Sequence, residues 1–398
     1  MQAVSALLLF LSVTSKPDSQ HLSPYGLPKQ VVVVATTLPE GFEQTTDSTF
    51  LKTTDAAPEG MQFLQKEEDQ PSVGKVGVYI PAGAIFRIDK RTMSNLGEGS
   101  VVLKVAKSAN REARSYKLEK GFTRADYNEW RRCAMQRAEG SVWPPKRPGS
   151  PEVPKGTLVI VGGGGMPKDI AERFIQAGGG ENGHFIVLPI SMPDPINMQQ
   201  EEASLKRMGA KDVTVIPYRE QAQLEDPKVL EAFKKATGIW FGGGRQWNFV
   251  DAYEGTKLPA LMKEVLSRGG VIGGSSAGAT IQGDYLVRGA PIGPQIMMCE
   301  GYEKGMGFLP GVAIDQHFSA RNRFKDMTGF IKAYPQFLGI GLDEATAIVV
   351  QGHTAEIMGR GKVHFYDSKK KYPETGPDYD AYPAGTKYDL KERKVIGS

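Results

Sequence analysis

Thr157-Leu158-Val159-Ile160-Val161-Gly162-Gly163-Gly164-Gly165-Met166-Pro167 is the stretch on which the fold turns. An unbroken apolar run reads as a strand buried on both faces, and it stops at four glycines. Pro167 is a favoured first-turn residue, so a helix opens there and runs to Ala177. The same alternation repeats downstream. His184-Phe185-Ile186-Val187-Leu188-Pro189-Ile190 is a second strand, followed by a helix through Met208. Val213-Thr214-Val215-Ile216 is a third, with a helix over 227–236, then Gly238-Ile239-Trp240-Phe241 and Val271-Ile272. Apolar runs alternating with helical patterns predict βαβ units: an α/β domain with a mainly parallel, doubly wound sheet. Residues 347–350, 356–358 and 363–366 read instead as antiparallel edge strands, and such an edge allows a homodimer.

Working back towards the N-terminus, the texture changes. Residues 141–154 are proline-rich and read as a stiff linker. Residues 74–140 hold three strand-like segments around Val78, Phe86 and Leu103, then a helix over 124–137, which predicts a small α+β module. Residues 1–73 read as a tail, rich in Pro, Thr, Gln and acids from residue 16, with Val31-Val32-Val33-Val34 as one isolated apolar run. Ala6-Leu7-Leu8-Leu9-Phe10-Leu11-Ser12-Val13 resembles a short signal core before the small residues Val13-Thr14-Ser15, though without a basic leader. It is too short to span a bilayer, so a secreted or periplasmic protein is expected ahead of a cytoplasmic one. The remaining residues, 155–398, form the α/β domain.

Composition narrows the function. A formal charge of +4 over 398 residues gives no footprint for nucleic acid or an anionic membrane. Cys133 and Cys299 are far apart, and the five histidines include no H-E-x-x-H pair. No disulfide framework, metal or cofactor is called for.

Ligands of such sheets bind at the carboxyl ends of the strands. Three glycine-rich loops fall there: 162–165, 242–244 and Gly274-Ser275-Ser276-Ala277-Gly278. The first departs from the dinucleotide fingerprint, because Pro167 stands where the third glycine of G-x-G-x-x-G belongs, and tight turns account for it. The third fits the nucleophile elbow G-x-S-x-G, a strand-to-helix turn that exposes a serine hydroxyl beside free N–H groups. A serine hydroxyl needs a base, and the base an orienting carboxylate. His317 follows the apolar residues 308–314, and Glu344 ends the run Gly339-Ile340-Gly341-Leu342-Asp343-Glu344, in what reads as the same sheet as the serine. Asp343 and Asp315 are the other acids in reach. His184, His353 and His364 sit in strand patterns without a nearby polar cluster.

Together, Gly274-Ser275-Ser276-Ala277-Gly278-Ala279, Asp315-Gln316-His317-Phe318 with Arg321 and Arg323, and Gly341-Leu342-Asp343-Glu344-Ala345-Thr346-Ala347 resemble the cyanophycinases. These are serine exopeptidases related to aspartyl dipeptidases, with a class I glutamine amidotransferase-like fold. Phe241-Gly242-Gly243-Gly244-Arg245-Gln246 and Gly305-Met306-Gly307-Phe308-Leu309-Pro310 resemble family stretches too, and the likeness covers residues 155–366. It implies Ser276 as nucleophile, His317 as base and then acid, and Glu344 as its orienting partner. It implies the N–H groups of Gly244 and Ala277 as the oxyanion hole, and Gln246, Asp315, Gln316, Arg321 and Arg323 as the substrate pocket. The substrate implied is a peptide or polymer rich in aspartate: cyanophycin, cut to β-aspartyl-arginine, or else a small aspartyl dipeptide. A binding protein without catalysis is the rival from another class. Two positions depart from the family. Asp326 stands where an arginine is usual, and Arg245 where an acid is usual. The double change of sign predicts either an ion pair with exchanged partners or a changed substrate.

Overall fold

The computed structural model describes residues 27–28, 30–36, 48–140 and 142–397. The signal-like segment 6–13 lies outside them. The chain divides into two compact units, Met1–Trp143 and Pro144–Ser398.

In the first unit the strands are β1 (Val31–Ala35), β2 (Ser48–Lys52), β3 (Met61–Leu64), β4 (Val76–Tyr79), β5 (Phe86–Asp89), β6 (Thr92–Asn95), β7 (Ser100–Val105), β8 (Arg114–Glu119) and β9 (Arg124–Asp126). They form a five-stranded sheet, β2-β1-β5-β6-β9, and a four-stranded sheet, β3-β4-β7-β8. A helix, Tyr127–Ala138, follows, with the Asp126 side chain accepting from the N–H of Glu129 as its cap. Val34, Phe86, Ile88, Val101, Leu103 and Trp130 share one core. The sheets reach back to Val31, into the stretch read as a tail. The reason is register: Val32, Val33 and Val34 pair with Ile88, Arg87 and Phe86, partners too distant in sequence for local composition to reveal.

The second unit contains β10 (Val153–Val161), β11 (His184–Leu188), β12 (Asp212–Val215), β13 (Gly238–Phe241), β14 (Val271–Ser275), β15 (Gly283–Tyr285) and β16 (Leu309–Asp315). Then come β17 (Leu338–Leu342), β18 (Thr346–Gly352), β19 (Thr354–Gly359), β20 (Lys362–Asp367), β21 (Asp380–Pro383), β22 (Lys387–Asp389) and β23 (Lys394–Gly397). A nine-stranded sheet runs β12-β11-β13-β14-β10-β18-β19-β22-β23. Its first five strands are parallel, and from β18 onward the pairing is antiparallel. Leu158 and Ile160 join one apolar cluster with Leu188, Phe241 and Met262, while Val159 and Val161 join another with Phe174, Val187 and Trp240. Alternate residues of one strand thus serve two cores, as a sheet covered on both faces requires. No helix among the described residues is long and apolar enough to cross a membrane.

Two expectations are corrected. Residues 347–350, 356–358 and 363–366 are antiparallel but form no edge: β18 and β19 lie inside the large sheet, and β20 lies between β17 and β21. And β16 and β17 belong to a separate five-stranded sheet, β15-β16-β17-β20-β21, so His317 and Glu344 do not share the serine's sheet. Strand pairing between distant segments decides sheet membership, and an apolar run carries no mark of its partner.

Candidate active site

Parallel register brings three carboxyl ends together. Val161 of β10 pairs with Ser275 of β14, and Gly274 of β14 with Phe241 of β13. Their continuations are the 162–165 loop, Ser276, and the 242–246 loop. Ser276 has φ +58 and ψ −113, a strained conformation for a side-chain-bearing residue. Its N–H donates to the Val161 carbonyl at 3.1 Å. The flanking glycines are there for space. A Cβ at Gly274 would lie 2.3 Å from the Gly278 oxygen, and one at Gly278 would lie 2.1 Å from the Phe241 oxygen. The elbow is therefore a packing solution that leaves the hydroxyl outside.

Ser276 Oγ lies 2.9 Å from His317 Nε2, and His317 Nδ1 lies 2.6 Å from Glu344 Oε1. With Nδ1–H donating to the carboxylate, Nε2 keeps a lone pair able to accept a proton from the serine. Burial lowers the His317 pKa below its ordinary 6.5; the Glu344 hydrogen bond raises it, Arg321 lowers it, and the net direction is down. The imidazole is accordingly neutral at neutral pH, as a base must be.

The 162–165 loop carries more than a turn. The His317 N–H donates to the Gly162 carbonyl at 2.8 Å, the Ala345 N–H to Gly163 at 2.7 Å, and the Gly162 N–H to Thr346 at 2.8 Å. A Cβ at Gly163 would lie 2.3 Å from His317 Cε1, and one at Gly164 would lie 2.4 Å from Glu344 Cβ. The loop is the wall behind imidazole and carboxylate, and it ties the two sheets together. Four glycines in a row exceed what a turn needs, and that excess was the available signal.

Ala277 follows Ser276 directly, and Gly244 follows Gly243 in the neighbouring loop. Among the described residues, neither N–H donates a backbone hydrogen bond. A Cβ at Gly243 would sit 3.5 Å from Ser276 Cβ, so this loop runs alongside the serine. Ser191, unmarked in the sequence, holds it there: its Oγ donates to the carbonyls of Gly242 and Gly243 at 3.0 and 2.7 Å, and its own carbonyl accepts from the Arg245 N–H at 2.9 Å.

The residues expected to line the pocket divide into two groups. Asp315 is fully buried; both its oxygens accept from Arg288 Nε at 3.0 Å, and Oδ1 accepts from Arg323 Nη1 at 2.6 Å. Gln246 is buried with Nε2 donating to the carbonyls of Val287 and Arg288 at 3.0 and 2.7 Å. Asp315, Arg323 and Gln246 therefore form a frame beneath the surface, because two guanidinium groups saturate the Asp315 carboxylate. Arg321 is exposed, and Gln316 is buried with Oε1 unpartnered. The exchanged ion pair does not form between Arg245 and Asp326. Asp326 accepts from Arg288 Nη2 at 2.7 Å, while Arg245 Nη2 donates to the Ala290 carbonyl at 2.5 Å. Arg288, outside every motif, is the residue sequence reasoning missed.

His364 also has polar neighbours, contrary to expectation. Its Nε2 lies 3.2 Å from Asp343 Oδ1 and 3.3 Å from Ser319 Oγ. Burial would raise the Asp343 pKa, but His364 and the N–H groups of Ser319 and Lys362 hold the carboxyl well below the usual range. Asp343 is thus engaged elsewhere, and Glu344 is the acid on His317.

An elbow serine, a neutral imidazole and a carboxylate in hydrogen-bonded series have the geometry of a serine hydrolase. The family model described as Peptidase family S51 matches residues 158–358, and the chain belongs to that family: it is a serine peptidase. Similar curated proteins include three called cyanophycinase. The one from Geminocystis herdmanii is 30% identical over 223 residues, 54% of this chain and 82% of that one. The one from Trichormus variabilis is 26% identical over 251 residues, 61% and 84%. The one from Synechococcus elongatus is 29% identical over 223 residues, 54% and 69%. Among solved structures, a peptidase from an acI-B1 Actinobacterium matches with 22% identity and a TM-score of 0.47, over 59% of this chain and 97% of that one.

Proposed function

We propose that this peptidase cleaves bonds at aspartyl residues, with cyanophycin as substrate and β-aspartyl-arginine as product. The observation that carries the reading is the series Ser276 Oγ, His317, Glu344 at 2.9 and 2.6 Å in a chain related to cyanophycinases. In this mechanism His317 Nε2 takes the Ser276 proton as Oγ attacks the scissile carbonyl. Glu344 stabilises the imidazolium. The N–H groups of Gly244 and Ala277 receive the oxyanion, each donor contributing roughly 100- to 1,000-fold in rate. His317 then protonates the leaving amine, and water, deprotonated by the same nitrogen, resolves the acyl-enzyme. We further propose the class I glutamine amidotransferase-like classification, supported by a nucleophile that follows β14, a strand inside the parallel part of the sheet.

The test compares release of β-aspartyl-arginine from cyanophycin by the native chain and by Ser276→Ala. Release by the native chain alone is expected. Turnover of free aspartyl dipeptides without polymer cleavage would favour the dipeptidase reading, to which the Arg288–Asp326 pair, in place of a further arginine, lends support.

A further inference from the structure

Arg245 is the residue next to Gly244, and it is half-buried. Among the described residues its only side-chain hydrogen bond runs from Nη2 to the Ala290 carbonyl, and its Nε is buried without a partner. Among the described residues no carboxylate comes within ion-pair distance of it. The contrast with its neighbours is direct. Arg288 meets Asp315 and Asp326, and Arg323 meets Asp315. Among the described residues Arg245 brings a half-buried charge to the site with no anion to answer it, whereas Arg321, likewise without an ion pair, is exposed to water. Burial accordingly lowers its pKa with nothing to oppose it, although a guanidinium keeps its charge throughout.

Such a charge, partly withdrawn from water, is unfavourable until an anion arrives. Its backbone is fixed: the N–H donates to Ser191, and Gln246 beside it anchors to the carbonyls of Val287 and Arg288. The third nitrogen, Nη1, has no partner among the described residues and is not buried, so one corner of the guanidinium stays open. Its residue belongs to the loop of Gly243, where a Cβ would lie 3.5 Å from Ser276 Cβ. We propose that Arg245 is a specificity-determining residue that binds a carboxylate of the substrate on the flank of the oxyanion loop. This rests on the aspartyl-peptidase reading and adds to it the group that the pocket selects. Two sources offer that chemistry, the free α-carboxylate of the leaving residue and an acidic side chain.

The experiment uses two pairs of β-aspartyl peptides. In one pair the leaving residue carries its α-carboxylate or an α-carboxamide; in the other its side chain is glutamate or glutamine. The native enzyme should prefer the carboxylate member of one pair by about 10- to 100-fold in kcat/KM, the range of a hydrogen bond to a charged group. Which pair shows it identifies the source. Arg245→Met should erase the preference, and Arg245→Lys should retain part of it. Equal turnover within both pairs by the native enzyme, or a preference that survives Arg245→Met, would overturn the proposal while leaving the peptidase reading intact. Turnover of no β-aspartyl peptide would refute the aspartyl reading instead. The subsite is then decided by calorimetric titration with succinate of Ser276→Ala and of Ser276→Ala/Arg245→Met. Binding only to the first upholds it, and equal binding or none overturns it.

Discussion

At Ser276 the chain is held by backbone approaching backbone, with glycines where any Cβ would overlap a carbonyl or the imidazole. At Asp315 it is held by guanidinium groups arriving from other segments, Arg288 from 27 residues away and Arg323 from 8. The first construction fixes atoms by hard contact, which tolerates no side chain and stores little charge. The second fixes them by buried ion pairs, which are strong only while every partner is present. Damage to the two should therefore show in different measurements: rate at the serine corner, stability at the charged frame.

The largest effect belongs to Ser276→Ala, which should lower kcat by roughly a million-fold, as removal of a triad nucleophile does, with the melting temperature little changed. Glu344→Gln should lower kcat by about 10,000-fold through loss of the tautomer-fixing carboxylate; a native rate would move the orienting role away from this acid. Arg288→Met leaves fully buried Asp315 with one guanidinium, and denaturant titration should show a loss of about 3–5 kcal/mol. If that variant instead melts like the native chain, the frame is not what stabilises this half. Gly163→Ala pushes a methyl into His317 at a residue with φ +93. Steady-state kinetics should show kcat reduced about 100-fold with KM nearly unchanged. The smallest effect is in the pH profile. The base works only when neutral, and a depressed His317 pKa keeps it neutral to lower pH, so the acid limb of kcat/KM should fall below 6.5. A limb at or above that value would mean the ring is not desolvated.

The same contrast explains what the sequence disclosed. The elbow, His317 and Glu344 were legible because each ends an apolar run in a short motif, and strand ends in α/β folds converge. The βαβ order was legible from periodicity alone. Arg288 was not, since Val287-Arg288-Gly289 resembles any surface turn until the fold carries it to Asp315. The sheet to which His317 and Glu344 belong was equally hidden, because pairing is a relation between segments. Residues 162–165 were visible but undervalued: their glycines answer to side chains more than 150 positions downstream.

The seam between the two sheets runs through the chemistry. Ser276 hangs from one sheet and His317 and Glu344 from the other, so the 2.9 Å bond between Oγ and Nε2 acts as a gauge laid across a joint. A slip of about an ångström would break the proposed proton path while every strand remained paired. Warming should therefore silence the enzyme before circular dichroism registers any loss of strands, and the tie that sets that temperature is a run of four glycines.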